Sequence, residues 1–309
     1  DPASDLPFLL KNKKICHTLK TCRDFVSDST NERELTMKTL ILILLFTLST
    51  LSHANTRCLV SKVSGQGKPV LLMPGFISDE TVWQDVATEL AKDHQVHQLA
   101  IAGFGKNPAC NNADDIFNQV VNDVRQYIQS NKLNKPVFVG HSMGGLMAFQ
   151  LALADDISLG GSIAVDGLPF IGPVFTRDNK TQVSDLAYQA ESIKTMYQNA
   201  QPAQIKMMTQ QGVGIQTKLK DKYQSLIDMA GNSDPTTAGS AIYTVMTTDL
   251  RPQLENLKAP VLLIGAAGGY TQASQQESVK ALYQAQLELA PDSELIMNNN
   301  GRHFLMWYE

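Results

Sequence analysis

The stretch Val137-Phe138-Val139-Gly140-His141-Ser142-Met143-Gly144-Gly145-Leu146 decides how the rest of the chain is read. Its first half is β-branched and aromatic, as a buried strand requires, and residues 146–154 carry a helical pattern. Between them stands Gly140-x-Ser142-x-Gly144. A serine at a sharp strand-to-helix turn is held in a strained conformation that projects its Oγ from the top of a sheet. Glycines two residues to either side let the strand and helix backbones approach closely. The turn also puts the serine beside a helix N-terminus, whose free N–H groups face any developing negative charge. A bare Gly-x-Ser-x-Gly occurs by chance in many chains. The strand before it, together with His141 and Gly145, makes Ser142 the candidate nucleophile.

Strand and helix patterns alternate on both sides of this turn. Residues 69–73 form an apolar run ended by Pro74-Gly75, and the spacing of Val82, Trp83, Val86 and Leu90 predicts a helix over 79–92 capped by Ser78 or Asp79. A strand is expected over 96–102 and a helix over 112–131, with Ile116, Val120, Val121, Val124 and Ile128 on one face. Beyond the serine turn a strand is read at 162–165, and others at 260–265 and 294–297. This rhythm implies an α/β fold, a mostly parallel sheet with helices on both faces joined by right-handed crossovers. It breaks after Asp166. Residues 167–245 read as helices without a convincing strand, a helical cap inserted over the strand ends. Met196, Met207, Met208 and Met229 suit an adaptable apolar pocket wall there, or equally an ordinary methionine-containing core.

The 309 residues do not all read as fold. Met37-Lys38 precedes an apolar run over residues 40–51, followed by Ser52-His53-Ala54. A basic start, a short apolar core and small residues three apart read as a signal peptide over 37–54. The run is 12 residues long, well short of the roughly 20 that span a bilayer as a helix. A buried core helix is the other reading. Residues 1–36 are then upstream sequence, and one domain over 55–309 remains, exported to the periplasm or secreted and without a stable membrane anchor. Cys58 follows Arg57 rather than a small residue, which argues against lipid attachment. The domain carries 19 basic and 24 acidic residues, a net charge of −5, so no basic surface invites a nucleic-acid backbone. Its two cysteines, Cys58 and Cys110, either pair in an oxidising compartment or stay buried as free thiols. No HExxH or CxxC set calls for a metal, and no motif calls for a cofactor.

A serine nucleophile needs a base. Of the four histidines after residue 54, His141 lies inside the turn, and His94 and His97 lead into an early strand. His303 lies in the polar loop Asn298-Asn299-Asn300-Gly301-Arg302-His303-Phe304 just after the last strand, where an α/β sheet assembles its site. The alternative is a solvated loop histidine.

With these residues in view, the chain resembles a serine hydrolase of the α/β-hydrolase family over nearly all of residues 65–309. The resemblance implies a cofactor-free Ser-acid-His triad. It also implies an oxyanion hole formed by the backbone N–H groups of Phe76 and Met143, with Met73-Pro74 standing where many members have His. Most members carry the acid just after the strand that is here 261–264, yet residues 265–271 contain no carboxylate. A minority place it one strand earlier, which points to Asp166; the rival is Asp249, whose other reading is an N-cap or an ion pair with Arg251. The expected chemistry is cleavage of a small or medium carboxylic ester, a small-molecule acyl substrate, through an acyl-enzyme. Thioester, lactone, amide, carbon–carbon and perhydrolysis chemistry use the same groups. A non-catalytic small-molecule binding protein of the same fold is the reading from another class.

Overall fold

The computed structural model describes residues 57–111 and 113–307. The upstream segment and the signal peptide expected over 37–54 lie outside the described residues. Among the described residues, seven strands form one sheet: β1 (Leu59–Ser64), β2 (Lys68–Met73), β3 (His94–Ile101), β4 (Val137–His141), β5 (Gly161–Val165), β6 (Val261–Ala266) and β7 (Ser293–Asn298), in the order β1-β3-β2-β4-β5-β6-β7. Of these strands, β1 alone runs antiparallel, pairing Leu59 with Ile101 at the β3 edge. The other five pairings are parallel. The chain moves outward from β2 to β3 and then returns past β2 to β4. The order therefore reverses between β2 and β4, where Met73 pairs with Gly140. In an open parallel sheet, the crevice at such a reversal is where ligands bind.

Parallel strands are covered on both faces, so they read as continuous apolar runs. Alternate residues nevertheless go to different cores. Leu71, Met73, Phe138, Ala164 and Leu263 join one cluster, together with α2 (Ile116–Ser130), α3 (Met143–Ala152) and α9 (Ala273–Gln286). Val70, Leu72, Val139, Ile163 and Leu262 face the opposite cluster with Trp83, Phe304, Met306 and α1 (Gln84–Leu90).

Two helix starts differ from the sequence expectation for local reasons. The helix expected over 79–92 opens as a 3₁₀ turn, Glu80–Trp83, because the Asp79 side chain accepts the Thr81 N–H at 3.1 Å and tightens the first turn. Helix α3 begins at Met143, directly after Ser142, although Gly144 and Gly145 read as helix breakers. Strand β1 and helix α9 lie outside the elements expected from the sequence.

Between β5 and β6 lie five helices: α4 (Gly172–Thr176), α5 (Val183–Gln198), α6 (Pro202–Gln216), α7 (Tyr223–Asn232) and α8 (Pro235–Thr247). Pro202 and Pro235 open α6 and α8, where a missing N–H costs nothing, and Asp234 caps α8 by accepting the Thr237 N–H at 2.7 Å. The insertion sits on the loops at the C-terminal ends of the strands. Asp234 N–H donates to Gly103 O at 2.7 Å, Gly105 N–H to Ser233 Oγ at 3.0 Å, and Ser240 Oγ to Asp114 O at 2.7 Å. Its methionines divide. Met229 is buried and Met208 packs against a small apolar cluster, whereas Met196 and Met207 are exposed, so the last two wall no pocket. A disulfide joins Cys58, beside β1, to Cys110, in the segment between β3 and α2.

Candidate active site

The site grows from the strained residue at the end of β4. Ser142 has φ 55° and ψ −114°, a region that side-chain-bearing residues rarely occupy, at a cost of roughly 1–3 kcal/mol. Its surroundings over-determine the turn. Ser142 N–H donates to Val165 O at 2.9 Å, and Ser142 O accepts the N–H groups of Gly145 at 2.8 Å and Leu146 at 3.1 Å. A Cβ at Gly140 would collide with the Gly144 carbonyl, so the strand and helix approach as closely as they do only because residue 140 is glycine. Met143 is the first residue of α3, and its N–H has no acceptor within the helix.

The loop after β2 lies against this turn. A Cβ at Gly75 would sit 2.9 Å from Ser142 Cβ and 3.0 Å from His141 Nδ1, which fixes how near the Gly75-Phe76 backbone comes to the serine. The Phe76 ring meets Phe104 edge-on at 5.7 Å and Tyr197 of α5 edge-on at 5.2 Å. Phe76 therefore links the loop beside the serine turn to the insertion, because its ring packs on Tyr197 of α5.

At the end of β5 the chain turns again at Asp166, φ 50°, whose N–H donates to Ile264 O at 2.7 Å. Its carboxylate is nearly buried, with 8% of the side chain exposed. Oδ2 accepts His303 Nδ1–H at 2.6 Å, across 137 residues of sequence. Oδ1 accepts two further donors, the Ala266 N–H at 2.8 Å and the Tyr283 hydroxyl at 2.8 Å. Burial first, and then the Asp166 charge, push the Tyr283 hydroxyl well above its ordinary value of 10.0, so it stays protonated and donates. The structure thus brings Asp166 and His303 together. The rival Asp249 is engaged elsewhere: Arg251 Nη2 approaches Asp249 Oδ2 at 2.6 Å and its Nε approaches Oδ1 at 2.9 Å, while Nη1 and Nη2 also hold Asn179 O and Thr181 O. Asp249 belongs to a clamp on the segment before α5 and forms an ion pair with Arg251.

His141 backs the histidine loop. Its Nε2–H donates to His303 O at 3.0 Å, and its ring lies 4.5 Å from the rings of both His303 and Phe304. Complete burial, then the neighbouring His303, hold His141 well below its ordinary value of 6.5. It is therefore a neutral support that adds no positive charge beside His303.

Two donors to Asp166 lie outside the sequence reading. Ala266 offers a backbone group that no side-chain pattern reveals. Tyr283 had a usable signal, because Val279, Tyr283 and Gln286 fall at helical spacing on the buried face of α9.

Known proteins share this architecture. A pimeloyl-[acyl-carrier protein] methyl ester esterase of Aliivibrio salmonicida is 28% identical over 211 residues, covering 67% of this chain and 76% of the relative. The like-named esterase of Vibrio cholerae is 22% identical over 262 residues, covering 80% and 92%. Among solved structures, a hydrolase from Oleispira antarctica superposes with a TM-score of 0.64 at 17% identity, covering 80% of this chain and 88% of that one. The enol-lactonase from Burkholderia xenovorans does so at 0.59 and 18%, covering 80% and 89%. The family model described as serine aminopeptidase, S33, matches residues 66–307. With its seven-stranded sheet, its strained serine turn and a match across most of its length, the chain belongs to this hydrolase family of the α/β-hydrolase fold and is an enzyme.

Proposed function

We propose that the protein hydrolyses a small or medium carboxylic ester through an acyl-enzyme, with Ser142 as nucleophile, His303 as base and Asp166 as the acid that orients it. The observation that carries this reading is the 2.6 Å contact between His303 Nδ1 and Asp166 Oδ2, at the strand ends beside the Ser142 turn. His303 Nε2 takes the Ser142 proton as Oγ attacks the ester carbonyl, and the resulting oxyanion rests on the Phe76 and Met143 N–H groups. Collapse expels the alcohol, which leaves with the proton from His303. Water, deprotonated by the same histidine, then attacks the acyl-enzyme, and the acid departs as Ser142 recovers its proton. Relatives named as methyl ester esterases favour an ester over an amide. The apolar surroundings of Phe76 and Tyr197, under a cap formed by α4 to α8, favour an uncharged acyl group.

Export is part of the same proposal. The signal-like run over 37–54 and the Cys58–Cys110 disulfide both fit an oxidising compartment. N-terminal sequencing of the mature protein is expected to start at Asn55, and a start at Met37 or earlier sinks this part of the reading.

The reaction is tested with a fluorophosphonate probe and a panel of p-nitrophenyl esters of graded acyl length. Wild type is expected to be labelled and to turn over short and medium esters, whereas Ser142→Ala does neither. Asp166→Asn should lower kcat by roughly 10⁴-fold, the scale known for a triad aspartate, and leave the fold intact. Equal labelling of wild type and Ser142→Ala rules out the nucleophile. Full activity in Asp166→Asn rules out the acid.

A further inference from the structure

We infer that Tyr283 is a positioning residue for the reaction: with the Ala266 N–H, its hydroxyl occupies Oδ1 of Asp166 and leaves Oδ2 alone to hold His303. The inference rests on the proposed roles of Asp166 and His303. A carboxylate can accept along several lone-pair directions on two oxygens, so a single partner leaves its plane free to rotate. Here three donors arrive from three elements: the end of β6, the third turn of α9 and the loop after β7. Together they fix both the plane of the carboxylate and the oxygen that His303 meets.

The arrangement follows from where the acid sits. The loop after β6 carries no carboxylate, and Asp166 at the end of β5 leans across toward that strand, with its own N–H on Ile264 O. The two elements facing it, β6 and α9, supply donors. The tyrosine ring reaches Asp166 past Gly265 of β6. A Cβ at Gly265 would stand 2.7 Å from Tyr283 Cδ1 and 2.7 Å from Met297 Sδ, so Gly265 is what gives the ring room. Tyr283 is buried, with 8% exposure, and it remains a neutral donor over the working pH range.

A purely structural tyrosine would satisfy its hydroxyl on any acceptor, so the test must read the chemistry. Tyr283→Phe keeps the ring and its packing and removes only the donor. The other titratable groups interacting with Tyr283 and His303 are Tyr270 and His141, and neither is altered. The variant is expected to stay folded and melt within a few degrees of wild type, to lose roughly 10- to 100-fold in kcat with KM unchanged, and to show the acidic limb of its kcat/KM profile at higher pH. The limb moves upward because a carboxylate short of one donor holds the imidazolium more strongly. On an Asp166→Asn background, Tyr283→Phe should cost nothing further, since no carboxylate remains to position. An unchanged kcat and pH profile in Tyr283→Phe, or an equal loss on both backgrounds, overturns the inference. Failure of the underlying reading shows separately, as retained activity in Asp166→Asn alone.

Discussion

Breaking the Cys58–Cys110 disulfide is a perturbation whose size the structure sets directly. The bond joins positions 52 apart in sequence, closing β1, β2, α1 and β3 into one loop. In the chain-entropy account, a loop of that length withholds about 4 kcal/mol of disorder from the unfolded chain, and this becomes stability of the fold. For a domain of this size each kcal/mol moves Tm by a few degrees, so loss of the bond should lower Tm by roughly 8–16 °C. Cys110 is the half to change, since Cys58 is 1% exposed and its replacement would also disturb the core. There is a functional consequence too. The Cys110 end lies in the segment that seats the insertion through Gly103 O, the Gly105 N–H and Asp114 O. Loosening this segment should raise KM for the ester at temperatures well below Tm. The assay is calorimetry of wild type and Cys110→Ser at one pH, each with and without dithiothreitol, beside ester kinetics. A Tm change under about 2 °C would mean that loop closure does not govern the unfolded state here. If dithiothreitol lowered Cys110→Ser as much as wild type, the effect would not belong to the bond.

Three other outcomes follow from the geometry. Gly140→Ala places a methyl group on the backbone carbonyl of Gly144, where no side chain can yield, so the variant should lose about 3 kcal/mol or more by urea unfolding and lose probe labelling of Ser142. Asp249→Asn should keep near-normal kcat while losing about 1 kcal/mol, because the Arg251 clamp on Asn179 and Thr181 weakens; a large kcat loss in a folded variant would reverse the choice of acid. Stability should fall as the pH drops through and below about 6.5, because burial holds His141 and His97 below that ordinary value. The sign follows from linkage: the unfolded chain binds these protons first, so the contribution is complete above 6.5 and is lost on acidification. Melting curves across pH 5 to 8 would check it, and a His141→Gln variant with an equally steep acid dependence would remove His141 as a cause.

What could be read in the amino-acid sequence was whatever depends on near neighbours. The Ser142 turn is legible because strand, glycines, serine and helix start all fall within ten residues, and their steric demands on one another are local. The central strands β2, β4, β5 and β6 are legible for a similar reason, since parallel strands buried on both faces are apolar over most of their length, whereas β3 and β7 show only the shorter runs Leu99-Ala100-Ile101 and Leu295-Ile296-Met297. Strand β1 escaped because a half-exposed edge strand, Leu-Val-Ser-Lys-Val-Ser, carries no such run. His303 was reachable by elimination among four histidines, and its place after the last strand added to the case.

The remaining features needed the tertiary structure, because each depends on groups far apart in the chain meeting at one point. Sequence could rank Asp166 over Asp249 but not say what either carboxylate meets, since that is a matter of distance: one meets His303 across 137 residues, while the other is held by Arg251 two positions away. It left Cys58 and Cys110 open between a disulfide and free thiols, because only the fold sets the 5.3 Å between their Cα atoms. The exposure of Met196 and Met207, and the tyrosine of α9 that meets the acid of β5, are likewise properties of packing. Local sterics write the Ser142 turn into the sequence, and long-range packing decides which carboxylate meets His303, which hydroxyl meets that carboxylate and which cysteines pair.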